Sequence, residues 1–279
     1  MTDRRTTTLG VIIGNRDFFP DALVDEARRD VLELFGEAGL QAVMLDEKDS
    51  KLGGVETFAE ARRCAELFAS RHDEIDGVLV VLPNFGDEKG VAEALKLSRL
   101  NVPVLVQAYP DDLNALGVER RRDAFCGKIS VCNNLKQAGI AFSLTTRHVV
   151  RPDDPSFKSD LARFVGVCRV VRGLRGARLG AVGARPGAFN TVRFSEKILE
   201  RNGISVTTID LSEVLGIAGR VPADDPRLVA KLRSIESYAP SSGVPADKLQ
   251  QMARLGVVLD QFVADNKLDC TAIQYWTSL

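Results

Sequence analysis

Histidine is almost missing from this sequence: 279 residues hold two, His72 and His148, alongside one tryptophan and three methionines. His72 lies in the charged run SRHDEID and His148 in TTRHVV. Neither has a second ligand-type residue at metal spacing, so no imidazole-based metal centre is legible in the chain. Five cysteines, Cys64, Cys126, Cys132, Cys168 and Cys270, are odd in number and form no CxxC pair. That fits reduced thiols in a cytosolic chain better than a disulfide framework, with Cys126 and Cys132 expected as buried structural thiols. Long apolar runs are also lacking: none approaches the ~20 residues that span a bilayer, and the opening MTDRRTTT has no apolar core of the secretory kind. The expectation is a soluble, cytoplasmic protein that does not engage membranes. Nor does one sign of charge prevail, with 37 Lys and Arg against 38 Asp and Glu and a pI near 6.2. There is thus no electrostatic footprint for nucleic acid. The cluster Arg120, Arg121, Arg122, flanked by Glu119 and Asp123, reads as a solvated loop. G-x-S-x-G and Walker loops are missing as well, which removes the common hydrolase and nucleotide-hydrolysing classes.

What the chain does have is a repeated opening. Leu9 to Pro20 reads LGVIIGNRDFFP and Leu179 to Asn190 reads LGAVGARPGAFN. Each is a short apolar run, a glycine turn bearing an arginine, and a helix start. Each is followed by a glycine-led apolar run ending in aspartate, GLQAVMLD (Gly39 to Asp46) and GISVTTID (Gly203 to Asp210). This is the start of a parallel α/β domain, written twice. At this length about two domains are expected.

Periodicity fills in the rest. Helices are expected over 21–36, 55–71, 88–99, 131–138 and 156–172, and strands over 9–13, 41–45, 77–82, 103–107 and 140–144. Phe58 is placed on the apolar face of the second helix with Ala61, Cys64, Ala65 and Phe68. GVLVVL (Gly77 to Leu82) has no polar alternation, as in a strand covered on both sides. The fold class is therefore α/β, with two consecutive doubly wound, flavodoxin- or Rossmann-like parallel-sheet domains. The first spans 1–173, and GLRGAR (Gly173 to Arg178) reads as a linker. The second, 174–279, offers strands at 179–183 and 204–209, helices at 190–202, 224–236 and 246–265, and a final apolar stretch, Cys270 to Trp276. About three strands is few for such a sheet, so this domain is expected to be truncated.

Chemistry in such folds concentrates where strands hand over to helices. GNRDFFP, LPNFGDE and QAYPDD place Arg16, Asn84, Asp87, Glu88 and Tyr109 at three strand ends of the first domain. Guanidinium, amide and carboxylate groups beside aromatic rings suit a polyhydroxylated ligand. The same residues also suit helix starts, since Asp21 and Asp87 are cap residues and Pro20 fits a first turn. In the second domain, glycines at 180, 183 and 187 miss the G-x-G-x-x-G spacing and Pro186 interrupts the turn, which disfavours dinucleotide binding. Asp210 with Glu213 reads as a helix cap, and Arg185 and Arg193 as candidates for surface ion pairs.

The series GNRDFFP, CGKISVCNNL (Cys126 to Leu135), GARPGAFNTVRFSEKILE (Gly183 to Glu200), TIDLSE (Thr208 to Glu213) and TAIQYW (Thr271 to Trp276) resembles the amino-terminal two domains of the L-fucose and L-arabinose isomerase family. The resemblance implies a metal-dependent aldose–ketose isomerase that works through an ene-diol on a monosaccharide. It also implies a carboxy-terminal third domain and assembly into homo-oligomeric rings. Arg16 would reach substrate held by the adjacent subunit, and Gln274 and Trp276 would border the sugar pocket. The family's manganese ligands, a glutamate, an aspartate and a histidine, match no segment up to Leu279, so Mn2+ and the catalytic residues are expected beyond it and the isolated chain is expected to be inactive. The alternative is a non-catalytic sugar-binding or regulatory α/β module.

Overall fold

A computed structural model of the chain describes residues 5–274, and Trp276 lies outside them. The chain divides into two compact units, Met1–Arg172 and Gly173–Leu279. No helix among the described residues is long and apolar enough to cross a membrane.

The first unit runs β1 (Thr8–Gly14), α1 (Ala22–Ala38), β2 (Gln41–Val43), β3 (Gly54–Val55), α2 (Phe58–Ser70), β4 (Ile75–Leu82), α3 (Glu88–Ser98), β5 (Val104–Ala108), α4 (Ala124–Gln137), β6 (Ser143–Leu144) and α5 (Pro155–Leu174). All pairings are parallel, in the order β2-β1-β4-β5-β6, with β3 continuing the β2 side of β1. Alternation within the strands sends side chains to two separate cores. Ile12, Val78, Val80 and Val106 meet Cys64 and Phe68 of α2, Val91 and Leu95 of α3 and Val131 and Leu135 of α4. Leu9, Val11, Ile13, Leu79 and Val81 meet Val31 and Phe35 of α1 and Phe157, Leu161 and Phe164 of α5. A sheet covered on both faces explains why β1 and β4 read as unbroken apolar runs. Buried in these layers, the Cys64 and Cys168 thiols are both pushed up to about 12, which keeps them protonated and inert.

Local signals account for most helix limits. Thr57 opens α2 with a capping box: Glu60 N–H donates to Thr57 Oγ1 at 3.3 Å, and Thr57 N–H donates to Glu60 Oε2 at 2.8 Å. Asp87 caps α3 by accepting from Gly90 N–H at 2.6 Å. Asp21 stands at the cap of α1 without a capping bond; its carboxylate instead pairs with Lys51 at 2.8 Å.

The second unit runs β7 (Arg178–Val182), α6 (Glu196–Arg201), β8 (Ser205–Ile209), α7 (Leu211–Gly219), α8 (Pro226–Tyr238), α9 (Ala246–Asn266) and β9 (Cys270–Ile273). Its three parallel strands are ordered β8-β7-β9. Val182 packs with Val214 of α7, Leu228 of α8 and Ala253, Val257 and Phe262 of α9. The opposite sheet face carries Ala181 in register with Thr208 and Ala272.

Several expectations change. Phe58 is 61% exposed: it opens α2 at the first turn, outside the buried stripe. Helix α4 begins at Ala124, seven positions before the expected start, because Gly127 and Lys128, which read as loop, are buried helix residues. The helix expected over 190–202 exists only from Glu196, where Ser195 caps it; Asn190–Val192 is a single 3-10 turn. The helix cap read at Asp210 is present: it opens α7, whose extent was not assigned, by accepting from Ser212 N–H at 2.7 Å. The GLRGAR linker is largely structured, since α5 reaches Leu174 and β7 starts at Arg178. Cys126 is exposed and Cys132 half-buried, against the expectation that both are buried.

Candidate functional site

In an open parallel sheet the ligand crevice opens beyond the carboxyl ends of the strands, where the winding direction reverses. In the first unit that point lies between β1 and β4, which flank the reversal in the order β2-β1-β4. Asn15 leaves β1 and Asn84 follows β4. Asn84 Nδ2 donates to Asn15 Oδ1 at 2.6 Å, and Asn84 Oδ1 accepts from Gly86 N–H at 3.0 Å. Asn15 Nδ2 donates to Glu56 at 2.8 Å. Burial raises the Glu56 pKa, and the Asn15 hydrogen bond only partly opposes it. Arg16 lies over the Phe85 ring at 4.3 Å, pairs with Glu88 and donates from Nε to the Gly86 carbonyl at 2.9 Å. Gly86 holds a φ of 72°, and Gly127 of α4 comes so close that an added methyl would penetrate the Phe85 carbonyl. The crest is thus closed by its own side chains, with Phe18 left 69% exposed beside it.

The groups expected near this crest separate. Tyr109 is fully buried, and its hydroxyl donates to Asp30 at 2.9 Å. Arg122 and Arg151 lie against its ring at 4.9 and 5.5 Å. Arg122 is not solvated: at 9% exposure it donates to the Pro83 carbonyl at 3.0 Å and to Glu26 at 2.6 Å. Glu26 is the acid that draws it in, while Asp30 takes Tyr109 and Arg151. Burial alone would raise Glu26, but hydrogen bonds from Arg151 and Arg122 outweigh it and lower the pKa. These groups fasten loops to α1 rather than face a ligand.

In the second unit the reversal lies between β7 and β9, and there the crest is open. A cleft of about 730 Å³ is floored by Ala181, Thr208 and Ala272 and rimmed by Gly183–Pro186, Phe189, Arg193, Phe194, Glu196 and Gln274. Gly183 has a φ of 82°, and a side chain there would strike Gln274 and Leu211. Gln274 continues the β9 pairing, donating its N–H to the Val182 carbonyl at 2.8 Å, and its Oε1 accepts from Ala184 N–H at 2.7 Å. Arg185 repeats the posture of Arg16. It lies over Phe194 at 4.3 Å, donates to the Phe194 carbonyl at 3.1 Å and pairs with Glu196 at 3.0 Å. Arg193 donates to the Pro186 carbonyl at 3.2 Å. Of the three site residues expected from sequence, Arg16 and Gln274 each stand at a reversal point of their own sheet, and Trp276 lies outside the described residues. Glu88 was read at a strand end but not as the partner of Arg16, and Phe85 and Gly127 were not singled out; the glycine between Cys126 and Lys128 was the one signal that backbone must approach there.

The family model for the fucose/sulfoquinovose isomerase N-terminal domain matches residues 10–175. The chain belongs to this family. Two curated relatives, the sulfoquinovose isomerases of Priestia aryabhattai and of Priestia megaterium (strain ATCC 12872 / QMB1551), are each 21% identical over 205 residues. That alignment covers 73% of the chain and 44% of each relative, so the chain spans less than half of the proteins it matches. A solved periplasmic solute-binding protein of an ABC transporter from Actinobacillus succinogenes 130z, with bound D-allose, aligns over 97% of the chain and 96% of its own at 11% identity and a TM-score of 0.25. At that score it adds nothing to the argument. Among the described residues no three His, Cys, Asp or Glu side chains are grouped to hold a metal ion.

Proposed function

We propose that the chain is the amino-terminal portion of an aldose–ketose isomerase and that the second unit's crest borders its monosaccharide. The observation that carries this is the Ala184–Gln274 hydrogen bond. By fixing Oε1 it aims the amide NH2, unpartnered among the described residues, at the cleft, where it can donate to a sugar hydroxyl. Phe189 and Phe194 supply apolar surface for the C–H face of a ring, and Thr208 a hydroxyl from the floor. The family relation supports the reaction class: a divalent cation, Mn2+ by resemblance, would polarise the substrate carbonyl, with its ligands in sequence beyond Leu279. This chain's own residues bind and orient. Held by Phe85, Glu88 and Gly86, Arg16 is a rigid guanidinium suited to a substrate bound by a neighbouring subunit of a cytoplasmic homo-oligomer. On this reading the 279-residue chain binds sugar weakly and has no turnover.

The second reading, a sugar-binding module, is favoured by one observation: the cleft is lined entirely by residues 181–274. Calorimetry with L-fucose and L-arabinose, with and without Mn2+, separates the two. Weak, metal-indifferent binding without ketose formation supports the isomerase portion. Tight binding by the chain alone supports the module, and no binding under any condition rejects both.

A further inference from the structure

In the first unit a groove of about 420 Å³ lies between the last turn of α1 and the body of α5. Leu34, Leu161 and Val165 line it from the helix–sheet core and Leu40 from the chain after α1, while Ala38 and Ala162 are too small to close it. Three charged side chains also line it. Lys158 donates to Glu37 at 2.7 Å, so those two cancel. Arg169 has no such partner: its Nε donates to the neutral hydroxyl of Thr7 at 3.2 Å, and among the described residues it makes no ion pair. Thr7 is 1% exposed, so this bond ties the guanidinium to a fixed point and leaves its terminal NH2 groups available. Those groups can take a carboxylate in a forked, two-point geometry. Apolar walls of low dielectric strengthen the attraction over that of an open surface. One unpaired cation among aliphatic walls matches a molecule with one carboxylate and a hydrocarbon chain. The volume falls within the roughly 300–1,000 Å³ of small-molecule sites, and such a bounded concavity suits a free ligand better than a flat bilayer surface.

We propose that the groove between α1 and α5 binds a free aliphatic carboxylate of short to medium chain length, with Arg169 holding the carboxylate and Leu34, Leu40, Leu161 and Val165 the chain. A ligand that touches both helices joins them, so the first unit gains stability as the ligand concentration rises.

The test is titration of the 279-residue chain, at constant ionic strength, with sodium octanoate below its micelle concentration, 1-octanol, acetate and phosphatidylglycerol vesicles, followed by calorimetry and by the amide resonances of Leu40 and Ala162. Octanoate is expected to shift both resonances and to bind at least about tenfold more tightly than octanol, the scale of a charge-assisted hydrogen bond. It should also bind at least about tenfold more tightly than acetate, through burial of its CH2 groups. R169Q should abolish the preference over octanol, R169K should keep part of it, and R120Q should leave it unchanged. R169Q also breaks the bond to Thr7, so A162F serves as a second variant: it fills the groove from an exposed helix position, leaves Arg169 and Thr7 in place and should remove octanoate binding, with circular dichroism checking the fold of each. Equal affinity for octanoate and octanol overturns the proposal, as does a preference that survives R169Q or octanoate binding that survives A162F. Octanoate no tighter than acetate overturns the apolar half of the site. Binding to vesicles without a response to free octanoate replaces the free ligand with a membrane surface, and no shift with any probe removes the site. None of these outcomes touches the sugar cleft, which is lined by the second unit alone.

Discussion

The two units begin with the same motif and finish it differently. After β1 the chain reads Gly14-Asn15-Arg16, and after β7 it reads Gly183-Ala184-Arg185. Both arginines lie 4.3 Å above a phenylalanine ring and pair with a glutamate at a helix start. The residue between decides the rest. Asn15 reaches across the reversal point to Asn84 and closes it, whereas Ala184 has no side chain to send and receives Gln274 at its backbone. The floors differ in step: Val11 and Leu79 pair across the first sheet, Ala181 and Ala272 across the second. Large aliphatic groups seal one unit against α1 and α5, and small ones leave the other with a cleft. One topology thus gives a scaffold in one place and a receptor in the other, by side-chain volume at matched register.

The sharpest way to break this comparison is at glycine. G127A would drive a methyl into the Phe85 carbonyl, and neither backbone can yield without moving α4 or the β4–α3 loop on which Arg16 rests. The expected cost is about 4 kcal/mol, read as a lowered urea midpoint of the first unit's unfolding. G187A on the second crest meets nothing within 4 Å and should change stability by less than about 0.5 kcal/mol. Equal effects would mean that the first crest is no tighter than the second.

Exchanging the floors is the next test. Leu79 is fully buried, so L79A should cost about 3 kcal/mol from lost burial and the cavity left behind. A272L adds volume to open space and should move stability by no more than about 1 kcal/mol, while filling the cleft and removing sugar binding in calorimetry. A large loss of stability from A272L would show the cleft to be narrower than its volume implies.

That difference between floors marks what could be read from sequence. The repeated opening, the parallel strands and the long helices were legible because β1 and β4 are covered on both faces and because α1 and α5 carry their apolar residues at helical spacing. Arg16 was legible as a strand-end residue, and Gln274 only through the family resemblance. Their partners were not, since Glu88 and Gly86 lie some seventy residues from Arg16 and only the fold joins them. Burial misled where a residue type speaks against its setting. Arg122 read as solvated until Glu26 and Tyr109 surrounded it, and Gly127 fell outside the helix expected from residue 131 although it lies inside α4, where close backbone contact needs it.

Lys128, beside that glycine, gives the comparison a pH dependence. Its ammonium donates to Thr145 Oγ1 at 2.6 Å and to the His148 carbonyl at 2.8 Å, and desolvation lowers its pKa to about 8. With the folded value below the unfolded 10.5, the unfolded chain binds more protons between about pH 8 and 10.5, so this group's contribution to stability rises across that window. Lys51 and Lys158, both raised, act the other way, so the useful quantity is the difference between the native chain and K128M. That difference should shift by about 1 to 2 kcal/mol in favour of the native chain from pH 8 to 10, after discounting for solvent screening. A flat difference would mean that the lysine is solvated.

The smallest effect on stability is expected where the effect on binding is large. Gln274 is half-buried, and its side-chain bond is to an exposed backbone N–H, which water can satisfy once the amide is removed. Q274A should therefore cost less than about 1 kcal/mol in urea, unlike loss of the buried Asn84, which would strand Asn15 Oδ1 and Gly86 N–H. In calorimetry the same variant should weaken sugar binding by about tenfold, because the donor aimed into the cleft is gone. Loss of stability without loss of binding would reverse the assignment. Gln274 would then be the second unit's counterpart of Asn84, a clasp across the reversal point, and the two crests would differ only in how tightly the clasp is buried.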